Sequence, residues 1–92
     1  MELKVLVIDD EPGLLQMLQV VLGRAGYTVT TVTSAVEGLQ LLERNRFDLC
    51  LCDLRMPGMD GMGFLNVLKS QGVALTVIVM SAYGSGDDAI AA

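Results

Sequence analysis

Short apolar runs rich in β-branched residues alternate along this chain with segments of helical periodicity. The first run, Lys4-Val5-Leu6-Val7-Ile8, has no polar alternation and predicts a strand buried on both faces. The alternation predicts strands over about 4–8, 28–32, 48–52 and 75–80, helices over about 12–25, 35–44 and 62–70, and the start of a fourth helix at 87–92. Such a repeat requires parallel pairing with right-handed crossovers. We therefore expect an α/β fold with a doubly wound parallel sheet.

The second predicted helix has a clear start signal. Ser34-Ala35-Val36-Glu37 is a capping box, in which the Ser34 hydroxyl accepts from the Glu37 amide and the Glu37 side chain reaches back. Leu39 and Leu42 are expected to carry the buried stripe of this helix.

Composition limits the kinds of protein that this chain can be. Ninety-two residues, 52% of them hydrophobic, fit one small domain over 1–92. Eleven acidic residues against six basic ones give a net charge of −5, which disfavours direct binding to nucleic acid. No apolar run approaches the roughly 20 residues of a membrane span, so we expect no membrane partner and a cytoplasmic location.

The two cysteines, Cys50 and Cys52, lie on the third predicted strand. With no histidine in the chain, they cannot complete a zinc site alone. Their side chains would share one face of the strand, and a disulfide over so short a loop would be strained. We interpret both as small buried core residues.

Polar residues follow three of the predicted strands. Asp9 and Asp10 follow the first, Asp53 follows the third and Ser81 follows the fourth. Ligands of doubly wound sheets bind beyond the carboxyl ends of the strands, so we expect these side chains to meet. Clustered carboxylates repel one another unless protonated or bound to a cation, and Mg²⁺ prefers such oxygen ligands. Each acid alone could be a helix cap or a turn residue, but together they predict an acidic Mg²⁺ pocket.

Three motifs resemble, in order and spacing, those of response-regulator receiver domains of two-component signalling. They are Val7-Ile8-Asp9-Asp10-Glu11-Pro12, Asp53-Leu54-Arg55-Met56-Pro57-Gly58-Met59-Asp60-Gly61 and Met80-Ser81-Ala82-Tyr83-Gly84. The middle motif is the most specific, and the match covers the whole chain. The stretch 81–92 is most similar to receivers of sigma-54-type transcriptional activators. The resemblance implies a flavodoxin-like fold with strand order 2-1-3-4-5.

The resemblance also implies a role for each polar residue. Asp53 matches the phosphoacceptor, which takes its phosphoryl group from a sensor histidine kinase. Asp10 matches the direct Mg²⁺ ligand, Asp9 the acid that holds the ion mostly through water, and Arg55 the position whose backbone carbonyl completes the metal shell. Ser81 matches the hydroxyl that senses the phosphoryl group. The implied output is a conformational switch that controls a transcriptional output domain, so the domain is not expected to be an enzyme.

The family pattern continues beyond this sequence, with the rest of a fourth helix, a fifth strand and a last helix. The family's lysine after strand five is therefore not among these residues, because Lys69 lies on the third predicted helix. Without a fifth strand, Val77-Ile78-Val79-Met80 would form an apolar open edge, and such edges recruit other strands. We expect self-association through this strand or exchange of elements between copies.

Three other functions fit parts of the pattern. A flavodoxin-type module would bind a flavin phosphate at the same edge, but Asp9-Asp10-Glu11 would repel a phosphate without a metal. A phosphohydrolase with an aspartyl nucleophile usually has a second acid two residues later, where Arg55 stands here. A receiver-like interaction module that is not phosphorylated in this form remains the main alternative.

Overall fold

The computed structural model describes residues 2–56 and 58–80. The elements in chain order are β1 (Lys4–Ile8), α1 (Pro12–Arg24), β2 (Thr28–Val32), α2 (Ala35–Arg44), β3 (Leu49–Asp53), α3 (Gly61–Gln71) and β4 (Thr76–Met80). The helix start expected at 87–92 lies outside the described residues. Within them, no helix combines the length and the apolar character that crossing a bilayer demands.

All the described strands pair in parallel in one sheet of order β2-β1-β3-β4. The expectation of a doubly wound α/β fold with this order is confirmed. The chain leaves β1 toward β2 on one side, then crosses β1 to form β3 on its other side. The order therefore reverses between β1 and β3, and their carboxyl ends flank the switch point at which such folds bind ligands.

The core lies on both faces of β1, as its uninterrupted apolar sequence predicts. Leu6 and Ile8 are fully buried against the cluster that contains Phe64 of α3. Val5 and Val7 point to the opposite face and pack with Leu15 of α1. Alternate residues of one strand thus bury against two separate helical layers, which fixes the end of β1 between them.

The predicted buried stripe of α2 is confirmed in part, since Leu39 and Leu42 both pack against the core. Its buried residues are Ala35 and Gly38, whereas Leu39 and Leu42 are only half-buried. The reason is close packing of the helix on β1, since a Cβ at Gly38 would lie 2.5 Å from Cδ1 of Ile8. The small residues therefore face the sheet, and the leucines flank that contact.

The capping box of α2 forms in part. The Ser34 hydroxyl accepts a hydrogen bond from the Glu37 amide at 3.2 Å, as predicted. The Glu37 carboxylate accepts from the Thr33 hydroxyl at 3.4 Å instead of returning to the backbone of Ser34. A hydroxyl at the residue before the cap thus competes for the glutamate.

Candidate metal centre

Three carboxylates meet at the carboxyl ends of the two central strands. Asp9 and Asp10 follow β1, and Asp53 is the last residue of β3. One oxygen from each residue lies within 4.8 Å of the oxygens of the other two. Asp9 and Asp53 are each 2% exposed, whereas Asp10 is exposed. The structure thus brings together the three acids that the sequence singles out.

Two backbone hydrogen bonds orient the buried pair. The Glu11 amide donates to Oδ1 of Asp9 at 2.9 Å, and the Arg55 amide donates to Oδ1 of Asp53 at 3.1 Å. In each case the donor is the amide two residues after the aspartate. Both carboxylates are therefore held by the loops that follow their own strands. Our reading of the sequence missed these bonds. The recurring signal is an aspartate that ends a strand and begins a turn.

The electrostatics of the cluster are unfavourable without a counter-charge. Burial raises the pKa of Asp9, and the negative charges of Asp53, Asp10 and Glu11 add to the rise, although the amide of Glu11 partly offsets it. Repulsion between Asp9 and Asp53, whose oxygens lie within 4.8 Å, is about 3 kcal/mol at an effective dielectric constant of about 20. A cation at this position would convert that repulsion into attraction.

The donor set fits a hard divalent cation. Its ligands are carboxylate oxygens, which both Mg²⁺ and Ca²⁺ prefer. The exposed Asp10 leaves one side of the cluster open to water, and Mg²⁺ usually keeps several waters in its shell. In the metal-free chain, burial and the charges of Asp53, Asp9 and Asp60 raise the pKa of the nearby Cys52 thiol to about 12, and a thiol is a poorer ligand than a carboxylate for hard cations.

Both cysteines are free and fully buried, as predicted. Burial also raises the pKa of Cys50. These residues line the underside of the site as part of the apolar core that includes Ile8 and Phe64.

The loop between β3 and α3 is closed by hydrogen bonds at both of its ends. The Gly61 amide donates to the carbonyl of Leu54 at 3.1 Å, and Oδ1 of Asp60 caps α3 by accepting from the Gly63 amide at 2.9 Å. Arg55 is exposed on this loop, two residues after the buried Asp53. Pro57 of the same loop lies outside the described residues.

Ser81 also lies outside the described residues. The residue before it, Met80, ends β4 and is the register partner of Asp53. The carbonyl of Met80 accepts from the Leu54 amide at 2.8 Å.

Fold and site together define a flavodoxin-like α/β domain with a cluster of three carboxylates at the switch point of its sheet. The particular family is shown by sequence, because residues 5–92 match the model of the response regulator receiver domain. The chain belongs to this family and is a receiver domain of a two-component response regulator. Such domains act in signalling and are not classical enzymes.

Curated relatives refine the assignment. The chain is 44% identical over 87 residues to the transcriptional regulatory protein GlrR of Escherichia coli K12, covering 95% of this chain and 20% of that protein. It is 39% identical over 86 residues to the DNA-binding transcriptional regulator NtrC of the same strain, covering 94% of this chain and 18% of the relative. The chain thus spans about a fifth of these relatives. They confirm the predicted resemblance to receivers of sigma-54-type activators.

Solved structures agree with the fold. The receiver domain of the Francisella response regulator 1452 superposes with a TM-score of 0.85 at 32% identity, covering 96% of this chain and 73% of that one. Response regulator TrrA of Thermotoga maritima, solved in complex with Mg²⁺-BeF, gives 0.82 at 28% identity over 89% of this chain and 71% of its own.

Proposed function

We propose that Asp53 accepts a phosphoryl group from a phosphohistidine of a sensor histidine kinase. Mg²⁺ would be held by Asp9, Asp10 and Asp53 together with the backbone carbonyl of Arg55. The observation that carries this proposal is the convergence of three carboxylates within 4.8 Å at the switch point. Asp53 is the proposed acceptor among them because it occupies the phosphoacceptor position of the receiver motif that residues 53–61 resemble.

The reaction is a displacement at phosphorus. A carboxylate oxygen of Asp53 forms a bond to phosphorus while the bond to the imidazole nitrogen of the donor breaks, and the released imidazole is protonated. The product is an acyl phosphate. Phosphoryl transfer needs alignment and charge compensation more than covalent help. The Arg55 amide supplies alignment by holding Oδ1 of Asp53, and bound Mg²⁺ supplies positive charge against the phosphoryl oxygens.

The proposed output is a conformational change rather than a released product. A phosphoryl group adds a charge of about −1.5 to −2 at the end of β3. Ser81 follows Met80, the register partner of Asp53, and is the proposed sensor of that charge. The complex of TrrA with Mg²⁺-BeF shows that a relative binds this combination, which supports Mg²⁺ as the cation here.

We further propose that an output domain elsewhere in the parent protein controls transcription in response. Support comes from the relatives GlrR and NtrC, which are transcriptional regulators of which this chain matches about 20%. The net charge of −5 argues that this domain does not itself bind nucleic acid. Because the proposed donor is a kinase of two-component signalling and both thiols are free, we place the domain in the cytoplasm.

Treatment with acetyl phosphate and Mg²⁺, followed by mass spectrometry of the intact chain, tests the assignment. We expect one added phosphoryl group on the parent chain and none on Asp53→Asn. The matched control is Asp48→Asn, which changes an exposed aspartate at the opposite end of β3 and should still be labelled. Labelling of Asp53→Asn would refute the acceptor assignment. If the parent chain stays unlabelled while a kinase still binds it, the non-phosphorylated interaction module is the better description.

We also propose that copies of this chain associate through β4. Within the described residues, β4 pairs only with β3. The side chain of Ile78 on this strand is 49% exposed. Exposed apolar edges recruit further strands. Light scattering at increasing concentration should show association that Ile78→Lys abolishes. Val36→Lys, at an equally exposed valine of α2, should leave it unchanged. A parent chain that stays monomeric throughout contradicts the proposal.

A further inference from the structure

Gly61 is the first residue of α3, and its backbone approaches the end of β3 too closely for a side chain. A Cβ at this position would lie 2.7 Å from the carbonyl oxygen of Asp53 and 2.9 Å from Cα of Leu54. Both neighbouring atoms belong to the backbone, so rotation of a side chain cannot relieve the overlap. Any residue other than glycine must therefore displace either α3 or the chain at 53–54.

The helix is anchored in the core by its apolar face. Phe64 is fully buried one turn after Gly61, and Leu68 is 4% exposed one turn later. Oδ1 of Asp60 also caps the first turn of α3 by accepting from Gly63. Retreat of α3 would open the core around Phe64, and emptying such a site costs about 3–5 kcal/mol. A short shift of the chain at 53–54 leaves the packing around Phe64 in place.

The strand end that would shift carries the proposed acceptor. Leu54 is bonded to Gly61 through its carbonyl and to Met80 through its amide. It lies between Asp53, whose carboxylate belongs to the acidic cluster, and Arg55, whose amide holds that carboxylate. Displacement at Leu54 therefore changes the direction of the Asp53 side chain and the position of the Arg55 carbonyl together.

We propose that Gly61 is a positioning residue for the site. Because it has no side chain, the first turn of α3 can pack closely enough on the end of β3 to hold Asp53 and Arg55 at their positions relative to Asp9. This inference deepens the proposed function and rests on it where it concerns the metal. Misplacement of a reacting or ligating group by about 1 Å can cost up to about a hundredfold.

Gly61→Ala tests the proposal against two matched variants. In Gly63→Ala, two residues along the same helix, the new Cβ meets only movable side-chain atoms, Cγ of Met59 at 3.1 Å and Oδ1 of Asp60 at 3.5 Å. In Gly38→Ala it meets the buried side chain of Ile8, the register partner of Cys52, and not the backbone of Asp53 and Leu54. The second variant thus reports what overpacking of the core alone does to the site.

Two readouts are taken from the same metal-free and Mg²⁺-titrated samples. Hydrogen exchange of the Arg55 amide follows its bond to Asp53 without any metal, and calorimetric titration gives the Mg²⁺ affinity. For Gly61→Ala we expect exchange about tenfold faster and affinity about tenfold weaker. For Gly63→Ala and Gly38→Ala we expect both values within about threefold of the parent chain, even where Gly38→Ala lowers the melting temperature.

The two readouts separate failure of this inference from failure of the proposed function. A parent chain that binds no Mg²⁺ contradicts the metal assignment, and the exchange of Arg55 still decides the role of Gly61. Unchanged exchange in folded Gly61→Ala overturns the positioning role, as does an equal change in Gly38→Ala. If Gly61→Ala does not fold even with an excluded osmolyte, Asp60→Ala decides, because it loosens the same first turn by removing the cap. Faster Arg55 exchange supports the proposal, and parental exchange overturns it.

Discussion

Replacing Asp9 by asparagine should stabilise the metal-free chain, although a buried residue is being changed. Asparagine has nearly the same shape, and its carbonyl can still accept the hydrogen bond that the Glu11 amide gives to Oδ1 of Asp9. What disappears is one of two charges that are each 2% exposed and within 4.8 Å of each other. Their repulsion is about 3 kcal/mol at an effective dielectric constant of about 20. The same negative charges, together with burial, raise the pKa of Asp9.

We therefore expect Asp9→Asn to raise the free energy of unfolding by about 1–3 kcal/mol at neutral pH, or the melting temperature by about 4 °C or more. Thermal unfolding by circular dichroism in the presence of a chelator measures this change. Asp48→Asn is the matched control, because Asp48 also accepts a backbone amide bond, from Lys4 at 2.8 Å, but is exposed at the other end of the sheet. It should change stability by less than about 0.5 kcal/mol.

The unfolding temperatures of the same two variants decide whether repulsion within the cluster matters. If Asp9→Asn unfolds at the same temperature as Asp48→Asn or below it, repulsion within the cluster does not govern stability. Added Mg²⁺ should make the parent chain more stable than Asp9→Asn. A ligand that binds only the folded state stabilises it more when it binds more tightly, and Asp9→Asn weakens the site. A parent chain and an Asp9→Asn variant that gain equally from Mg²⁺ would contradict the participation of Asp9.

Three further predictions follow from the structure. The pKa of Asp9 is raised in the folded chain above its unfolded-state pKa of about 3.8. Protonated Asp9 therefore contributes stability that is fully present below the unfolded-state pKa. This contribution is lost as the pH rises through the folded-state pKa. The stability of the metal-free parent relative to Asp9→Asn should thus fall with rising pH across that window, and thermal melts that show the opposite slope would refute the assignment. Ser34→Ala should cost about 1 kcal/mol through loss of the cap on the Glu37 amide, whereas Ser70→Ala, near the exposed end of α3, should cost less in urea unfolding. Cys50 and Cys52 should resist alkylation in the native chain and react fully in denaturant, because burial raises both pKa values; rapid native labelling would show that β3 opens.

Much of the fold follows from local sequence signals. Uninterrupted apolar runs such as Val5 to Ile8 predict buried parallel strands, and the strand order follows from the family resemblance. The three acids were found from a rule of topology, that the carboxyl ends of parallel strands share one edge. Neither inference requires knowledge of how individual side chains pack.

What the sequence did not reveal depends on distances between elements. Leu39 looks like a core residue by periodicity, yet Gly38 is the one that meets the sheet, because the depth at which α2 packs is set by Ile8 beneath it. The role of Gly61 is hidden for the same reason, since a glycine at a helix start has many ordinary explanations. The Glu37 carboxylate accepts from the Thr33 hydroxyl and does not close the expected capping box, because the hydroxyl and the Ser34 backbone amide compete for it.

The two sides of the acidic cluster are tied to different neighbouring strands. Asp9 continues from a strand with neighbours on both sides, and its own amide is bonded to the Val32 carbonyl at 3.2 Å. Asp53 instead leads into a loop tied to Met80 on the outer strand. Asp9 is thereby coupled to β2 and Asp53 to β4, so a change at each carboxylate reaches a different side of the sheet.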